Sequence, residues 1–400
     1  MEEVDSLRKR IVFVDDEPHI LSGLKRSLRG MREGWDMEFY SSPEEALAAI
    51  RRAPTDVVVS DMRMPQLDGA ALLTEVKQLR PGCIRIILSG QAQRELILRS
   101  LAVTHVYLDK PCDPAALQSV IERTKRWHEL VADPGLQRAI TKIDKIPSLP
   151  DSYQLVTTAI RDGKSSAEEV GQLIARDVGM SARILQIANS AVFHFRRPIE
   201  HVTQAATMLG TERIEQLVLS VGVFSVFNQS ADVNELTEIW RRSLASSVLA
   251  TRIAGDLGLD RRVSNTASTA AMLSECGRLV LLSQFPERCA TAKKQAAESD
   301  ASLSEAEQRE FGTDQALVGA YVCSLWGLPD DVVDSIAFHN TPRRGPHKAA
   351  SALTAVHAGC GLIRDPSGET LDQAYLESLG AEARMPVWQE WATESLGAAE

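Results

Sequence analysis

Short apolar runs alternate with amphipathic stretches through roughly the first 130 residues, and each run ends at a polar residue. One such run of apolar or small residues, Val57–Ser60, is rich in β-branched valine and predicts a strand buried on both faces of a parallel sheet. Comparable runs lie at 11–14, 38–40, 84–88 and 106–108. Segments with helical periodicity separate these runs. The pattern therefore predicts a doubly wound α/β domain with a five-stranded parallel sheet.

The hydrophobic pattern changes near residue 150, where apolar positions begin to recur at helical spacing and no alternating strand run competes. Prolines interrupt the chain just before this change, at Pro134, Pro147 and Pro150. We therefore divide the chain into an α/β domain, a helical linker or hinge, an all-α domain and a C-terminal helical extension of that domain. Their predicted bounds are 1–130, 131–145, 146–342 and 343–400.

Charge and composition narrow the class of protein. The net charge is −10, and residues 1–132 hold 19 Lys and Arg against 20 Asp and Glu, so the helical part carries most of the excess. An acidic helical half disfavours nucleic acid as a partner, because a nucleic-acid reader needs a basic face. No apolar run approaches the roughly 18 residues of a membrane span. The six cysteines show no metal-ligand spacing, and we expect a cytoplasmic protein with reduced thiols and no membrane insertion.

Five polar residues stand at or directly after the predicted strand ends: Asp15, Asp16, Asp61, Ser89 and Lys110. The carboxyl ends of parallel strands share one edge of a sheet, so these side chains are expected to converge there. A single acid at a strand end is more often a loop carboxylate or a helix cap. Three acids, an amine and a hydroxyl at five such ends instead predict a common site.

The chemistry of this set is that of a phosphoryl acceptor. Clustered carboxylates repel one another unless a cation lies among them, and oxygen ligands favour magnesium. We assign Asp61 as the nucleophile, with Asp15 and Asp16 completing the magnesium site that Asp61 shares. Lys110 can neutralise a phosphoryl oxygen, and Ser89 can donate a hydrogen bond to one.

These residues, with Met64-Pro65, Asp68-Gly69, Tyr107 and Pro111, resemble the receiver domain of two-component response regulators across roughly residues 8–130. The resemblance implies that a partner sensor histidine kinase phosphorylates Asp61 and that magnesium is required. It also implies that Ser89 and Tyr107 form a switch pair, in which the hydroxyl moves toward the phosphate and the aromatic ring turns inward.

The helical half is similar to the HDOD domain, a relative of the HD-superfamily phosphohydrolases, over roughly residues 140–342. The resemblance rests on several short motifs in the right order: 146–150, Asp177 with 182–185, 189–191, 197–199, 205–210, 326–329 and His339. Active HD enzymes bind a metal through a histidine, an adjacent His-Asp pair and further His and Asp ligands. The corresponding positions here hold Arg242, Ser274, Glu275, Gln315 and Gly359, and His339 alone remains of the expected set.

A guanidinium at position 242 repels a divalent cation, and one imidazole cannot hold such an ion. We therefore expect no cofactor in the HDOD half and a salt bridge between Arg242 and Glu275 where a metal would lie. The sequence then predicts a phosphorelay response regulator whose HDOD half has lost catalysis and acts by binding an unidentified protein, so that the chain is not an enzyme beyond its self-phosphorylation.

Two other functions stay open on the sequence alone. One is a metal-dependent HD-type phosphohydrolase regulated by phosphorylation, and the other is a transcription factor, which the acidic charge disfavours. A homodimer is a further alternative, because the helix after Pro114 carries an apolar face at Trp127 and Val131 that can cover its own sheet or a second copy.

Overall fold

The computed structural model confirms the predicted classes, an α/β domain followed by a helical region. It describes residues 9–32, 34–90, 100, 103–131, 133–143, 150–162, 164–189, 198–210, 213–214, 217–218, 233–299 and 301–397. Parts of the HDOD-like motifs, at 146–149, 190–191 and 197, lie outside these residues. Within the described chain, no helix has both the length and the apolar character needed to cross a membrane.

The α/β domain is built on five parallel strands: β1 (Lys9–Val14), β2 (Trp35–Tyr40), β3 (Val57–Asp61), β4 (Ile84–Ser89) and β5 (Val106–Asp109). Their order across the sheet is β2-β1-β3-β4-β5, so β1 and β3 lie together at its centre. Every residue of β3 is buried, as its valine-rich run predicts. Strand β2 begins at Trp35, earlier than the run at 38–40 suggests, because its polar residues pair with β1.

In the described part of the domain, the sheet is flanked by α1 (Pro18–Ser27), α2 (Pro43–Arg52), α3 (Gly69–Leu79) and α4 (Pro114–Leu130). Local capping explains where several begin. Ser42 accepts a hydrogen bond from the Glu45 amide at the start of α2, and Asp68 accepts one from the Ala71 amide at the start of α3.

The segment predicted as a linker forms helix α5 (Pro134–Lys142), which Asp133 caps through the Gly135 and Leu136 amides. Its apolar residues Leu136 and Ile140 are buried, so this helix is packed rather than exposed. It contacts the α/β domain on one side and the helical domain on the other, where Arg288 pairs with Asp133 at 2.9 Å.

The described helices of the second half follow in chain order: α6 (Pro150–Arg161), α7 (Ala167–Ile174), α8 (Val178–Ala188), α9 (Val202–Leu209), α10 (Val233–Asp256), α11 (Arg261–Leu273), α12 (Cys276–Gln284), α13 (Pro286–Ser299), α14 (Leu303–Phe311), α15 (Gln315–Leu325), α16 (Asp330–Phe338), α17 (Ala352–Arg364), α18 (Gln373–Ser378) and α19 (Met385–Gly397). The long helix α10 packs against α11 and α17, and this group forms the centre of the domain. Helix α19 packs on α10, so the C-terminal extension docks within the chain.

Helix α4 of the α/β domain packs against α15 and α16 of the helical domain, and we call this contact the interdomain face. Its polar contacts are Arg123 with Asp330 at 3.0 Å, Arg126 with Asp334 at 3.5 Å, and His128 Nδ1 with the Tyr321 hydroxyl at 2.8 Å. Trp127 packs against Phe338. Trp127 and Val131 are thus buried within one chain, and the structure does not support a homodimer through that face.

The start of α3 requires a glycine. A Cβ atom at Gly69 would lie 2.2 Å from the backbone oxygen of Asp61 and 2.9 Å from Ile87 Cδ1. We predict that Gly69→Ala lowers the stability of the sheet by about 1–3 kcal/mol, because the added methyl group overpacks against backbone. Hydrogen exchange of the β3 and β4 amides measures this change.

Gly23→Ala in α1 is the matched control, because a Cβ there meets no atom within 4 Å. It is expected to leave the same amides unchanged or to stabilise the domain by roughly 0.5–1 kcal/mol, the advantage of alanine over glycine in a helix. Equal protection in the Gly69→Ala variant and the wild type would contradict the steric argument.

Candidate functional site

The structure brings the three predicted acids and the lysine together at the carboxyl edge of the sheet. Oxygens of Asp15, Asp16 and Asp61 lie within 4.8 Å of one another. The Lys110 ammonium lies 2.6 Å from Asp15 Oδ2 and 2.7 Å from Asp61 Oδ1, so one cation joins the acid after β1 to the acid ending β3. Asp15 and Asp61 are almost fully buried.

The pKa values of these groups reflect burial set against their mutual charges. Burial raises the pKa of the Asp61 carboxyl, and the charge of Asp15 adds to this; the hydrogen bond and charge of Lys110 oppose it without cancelling it. For Lys110, burial lowers the pKa, but the bonds to Asp15 and Asp61 outweigh burial and the net shift is upward. The lysine therefore stays charged beside its carboxylates.

Backbone geometry fixes the Asp61 carboxylate. The Arg63 amide donates to Asp61 Oδ2 at 3.3 Å, and the Gly69 amide donates to the Met62 oxygen at 3.0 Å. Gln66, in the loop between them, has a positive φ of 68°. On the other side, the Lys110 amide donates to the Ser89 oxygen at 2.8 Å, and the peptide bond from Lys110 to Pro111 is cis.

The donor set fits a magnesium ion. Three carboxylates close together supply the hard oxygen ligands that magnesium prefers, and their clustering is costly without a cation. Among the described residues, these three carboxylates form a group of His, Cys, Asp or Glu side chains close enough to share one cation. Asp15, Asp16 and Asp61 are therefore the residues that would hold the ion.

The predicted switch pair occupies the same edge. Ser89 ends β4 and its hydroxyl donates to the Gly90 oxygen at 3.1 Å. The Tyr107 ring is buried, and its hydroxyl lies 2.7 Å from the Ser100 hydroxyl. Burial raises the pKa of Tyr107 to about 12, against the hydrogen bond with Ser100. The Tyr107 ring is thus already buried, and its hydroxyl is held by Ser100, a partner that sequence reasoning missed.

In the helical domain, the hypothesised pair is present. Arg242 on α10 binds Glu275 through two parallel hydrogen bonds, Nε to Oε1 at 2.9 Å and Nη2 to Oε2 at 2.7 Å. Ser274 and Glu275 form the junction where α11 ends and α12 begins, which turns the Glu275 carboxylate toward α10.

Burial raises the pKa of Glu275, but the hydrogen bonds and charge of Arg242 outweigh burial and hold it below the ordinary glutamate value. A second guanidinium, Arg364 at the end of α17, also lowers the pKa of Glu275 and that of His339. Sequence reasoning missed Arg364. The Glu275 carboxylate is therefore already paired with one guanidinium, which opposes the binding of a divalent ion there.

His339, Gln315 and Gly359, at the other positions that correspond to HD metal ligands, are all buried. His339 is buried and its Nδ1 donates to the Ile336 oxygen at 2.7 Å; burial lowers its pKa to about 4, so the ring is neutral. Gln315 is the buried first residue of α15, and its backbone amide donates to Glu307 Oε2 at 3.0 Å. Gly359 packs against Ala250, where an added Cβ would lie 3.0 Å from the backbone nitrogen and would require the two helices to shift slightly. These residues do not form a ligand cluster with Ser274 and Glu275 among the residues that the structure describes.

Family models match both halves of the chain. A response regulator receiver domain matches residues 11–122, and an HDOD domain matches residues 146–342. An uncharacterized protein of Treponema pallidum (strain Nichols) is 24% identical over 229 residues, which cover 57% of this chain and 44% of the relative.

The transcriptional regulatory protein GlrR of Escherichia coli (strain K12) is 30% identical over 131 residues, 30% of this chain and 29% of that protein. The chain therefore spans less than half the length of these two curated relatives. Among solved structures, the MmoQ response regulator of Methylococcus capsulatus is 21% identical, with a TM-score of 0.47, covering 60% of this chain and 97% of that one.

The ion pair at Glu275 generates a prediction. We expect Arg242→Met to cost about 1–3 kcal/mol near neutral pH, because it leaves a carboxylate that is only 12% exposed without its cation. Burial then raises the folded-state pKa of Glu275 above its unfolded value. Its carboxyl then favours the folded state at low pH, and this contribution is lost as pH rises through the new pKa.

In the wild type the sign is reversed: the folded-state pKa of Glu275 is lowered, so stability is lost as pH falls through it. The gap between variant and wild type should accordingly narrow between about pH 8 and pH 5 in urea unfolding. Arg241→Met is the control, because Arg241 pairs with Glu238 at the surface and its removal should cost under about 1 kcal/mol. Parallel pH profiles for Arg242→Met and wild type would disprove the assignment.

Proposed function

Because the chain joins a response regulator receiver domain to an HDOD domain, we propose that it is a phosphorelay response regulator in which Asp61 accepts the phosphoryl group. A sensor histidine kinase is the proposed donor, and a catalytically inactive HDOD half that binds a protein is the proposed output. The observation that carries the first part is the geometry at the sheet edge, where Lys110 bridges Asp15 and Asp61 beside Asp16.

The proposed reaction uses the Asp61 carboxylate as nucleophile. One carboxylate oxygen forms a bond to phosphorus, and the bond from phosphorus to the donor breaks, its electron pair leaving with the donor's nitrogen or oxygen. Magnesium, when bound, supplies positive charge that screens the phosphoryl oxygens from the acids. Lys110 neutralises a further phosphoryl oxygen, as a charged amine already in contact with Asp61.

Phosphorylation changes the charge at a buried edge of the sheet. The new group carries about −1.5 to −2 charge and three acceptor oxygens. The Ser89 hydroxyl, which now donates to a loop carbonyl, can donate to a phosphoryl oxygen instead. The end of β4 therefore responds directly to the state of Asp61.

For the helical half, a binding role is favoured by what occupies the degenerate metal positions. Arg242 binds Glu275 through two hydrogen bonds, and the charge of Arg364 also lowers the pKa of that carboxylate, so positive side chains already compensate it. A side-chain cation cannot activate water as a metal does. The acidic balance of this half disfavours nucleic acid, so a protein is the proposed partner.

Acetyl phosphate with magnesium tests the acceptor role. We predict that the intact protein gains the mass of one phosphoryl group, that Asp61→Asn gains none because its amide is not a nucleophile, and that chelating magnesium prevents the gain. Asp109→Asn is the matched control, since Asp109 ends β5 but is exposed. Mass spectrometry of the intact chain reads the result. Labelling that survives in Asp61→Asn would place the acceptor elsewhere.

The alternative, a metal-dependent phosphohydrolase acting for instance on a cyclic dinucleotide, predicts turnover with added manganese. We expect none from the wild-type chain, phosphorylated or not, because the residues at the degenerate positions do not assemble a metal site. Chromatography of the nucleotide after incubation measures this. Product that forms with manganese and persists in Asp61→Asn would assign catalysis to the HDOD half and overturn the binding proposal.

A further inference from the structure

A buried arginine and histidine lie at the opposite edge of the sheet from the acids. Arg85 is the second residue of β4 and is 1% exposed, and His105 directly precedes β5. The Arg85 guanidinium donates to the Cys83 oxygen at 2.9 Å and to the Thr141 oxygen at 2.9 Å. Thr141 belongs to the linker helix α5. A cation buried in the α/β domain is therefore bonded to the chain that leads out of it.

The hydrogen bonds also fix the histidine tautomer. His105 Nδ1 accepts from the Arg85 backbone amide at 3.1 Å, so in the neutral ring the proton is on Nε2. Burial and the Arg85 charge lower the pKa of His105, which keeps the ring neutral. The Nε2 proton then donates to the Thr141 oxygen at 3.0 Å. One carbonyl of the linker thus accepts from two buried donors, and we call this arrangement the linker clamp.

The linker is tied to both domains at this place. The Thr141 hydroxyl donates to the Pro81 oxygen at 2.7 Å, in the turn that leads into β4. Helix α5 also packs against α15, the helix whose Tyr321 bonds His128. Any displacement of the clamp therefore reaches the helical domain through a packed helix.

The clamp lies in line with the phosphoryl site. Side chains two apart on a strand share a face, so Arg85, Ile87 and Ser89 line one face of β4. Strand β5 pairs with β4 in parallel, with Tyr107 opposite Ile87. At 3.3 Å per residue, the row on β4 from Arg85 to Ser89 is about 13 Å long, and the adjacent row from His105 to Tyr107 is about 7 Å long.

We propose that the linker clamp transmits phosphorylation of Asp61 to the HDOD half: movement of Ser89 toward the phosphoryl group displaces the β4–β5 pair and loosens the hold of Arg85 and His105 on Thr141. This rests on the proposed function, because it requires a phosphoryl group at Asp61. The strands are joined along their length by backbone hydrogen bonds, so the two ends do not move independently. Arg85 stands on β4 and His105 directly precedes β5, so displacement of the strand pair moves both donors away from the Thr141 oxygen.

Hydrogen exchange of the full chain tests the proposal, with the mass of the intact protein measured on the same samples. In the wild type, acetyl phosphate and magnesium should add one phosphoryl group and speed exchange of the α5 amides about tenfold. Arg85→Met should exchange fast at α5 before phosphorylation, show no further increase, and still take up the phosphoryl group.

Lys142→Ala is the control, because Lys142 is exposed on the same helix and should keep the wild-type response. Thr141→Val is a second, milder variant: it keeps the clamped carbonyl but removes the bond to Pro81, and should show a raised baseline with the response retained. Uptake of phosphoryl with α5 exchange unchanged would overturn the clamp as transmitter and leave the proposed function standing. Absence of uptake would overturn the proposed function itself.

Discussion

A single ammonium group between two buried carboxylates organises the α/β domain. Asp15 and Lys110 are 95 positions apart in sequence, and Asp61 belongs to a third strand, yet the three meet at the edge of the sheet. Buried carboxylates at such short range repel one another, and a lysine at their centre offsets that cost. The strand order places β1 and β3 side by side, and β5 reaches them only through the loop that follows it.

The helical domain also contains a carboxylate removed from water, but an arginine rather than a lysine compensates its charge. Glu275 is buried, and its compensation is the guanidinium of Arg242, held by two parallel bonds. A covalently attached cation stabilises the carboxylate but neither leaves nor offers an open coordination position, so it supports shape rather than metal chemistry. The receiver edge retains a cluster of three acids, which a metal ion can join. Both halves thus contain buried acids, but only the acids of the receiver are arranged for an exchangeable ligand among the described residues.

The sequence predicted what depends on local pattern and strand ends. Asp15, Asp61 and Lys110 could be placed together because parallel strands share one carboxyl edge. The Arg242–Glu275 salt bridge could be predicted because these residues, which have opposite charge, stand at two positions where HD enzymes have metal ligands. Arg85 was not identified, since a lone arginine in an apolar strand gives no sign of its partners. Those partners are backbone carbonyls, which sequence does not distinguish. The Tyr107–Ser100 bond and Arg364 escaped prediction for a similar reason, because each depends on tertiary packing.

The contacts between the two halves differ in how readily they separate. At the interdomain face, the two aspartates that pair with arginines differ in exposure. The side chain of Asp330, the partner of Arg123, is 64% exposed, and that of Asp334, the partner of Arg126, is 12% exposed. Exposed ion pairs contribute only about 0–1 kcal/mol, so the Arg123 pair opposes separation weakly. The linker clamp has buried donors on a buried carbonyl, and breaking it leaves a desolvated guanidinium without one of its acceptors. The Arg123–Asp330 pair therefore separates more readily than the linker clamp.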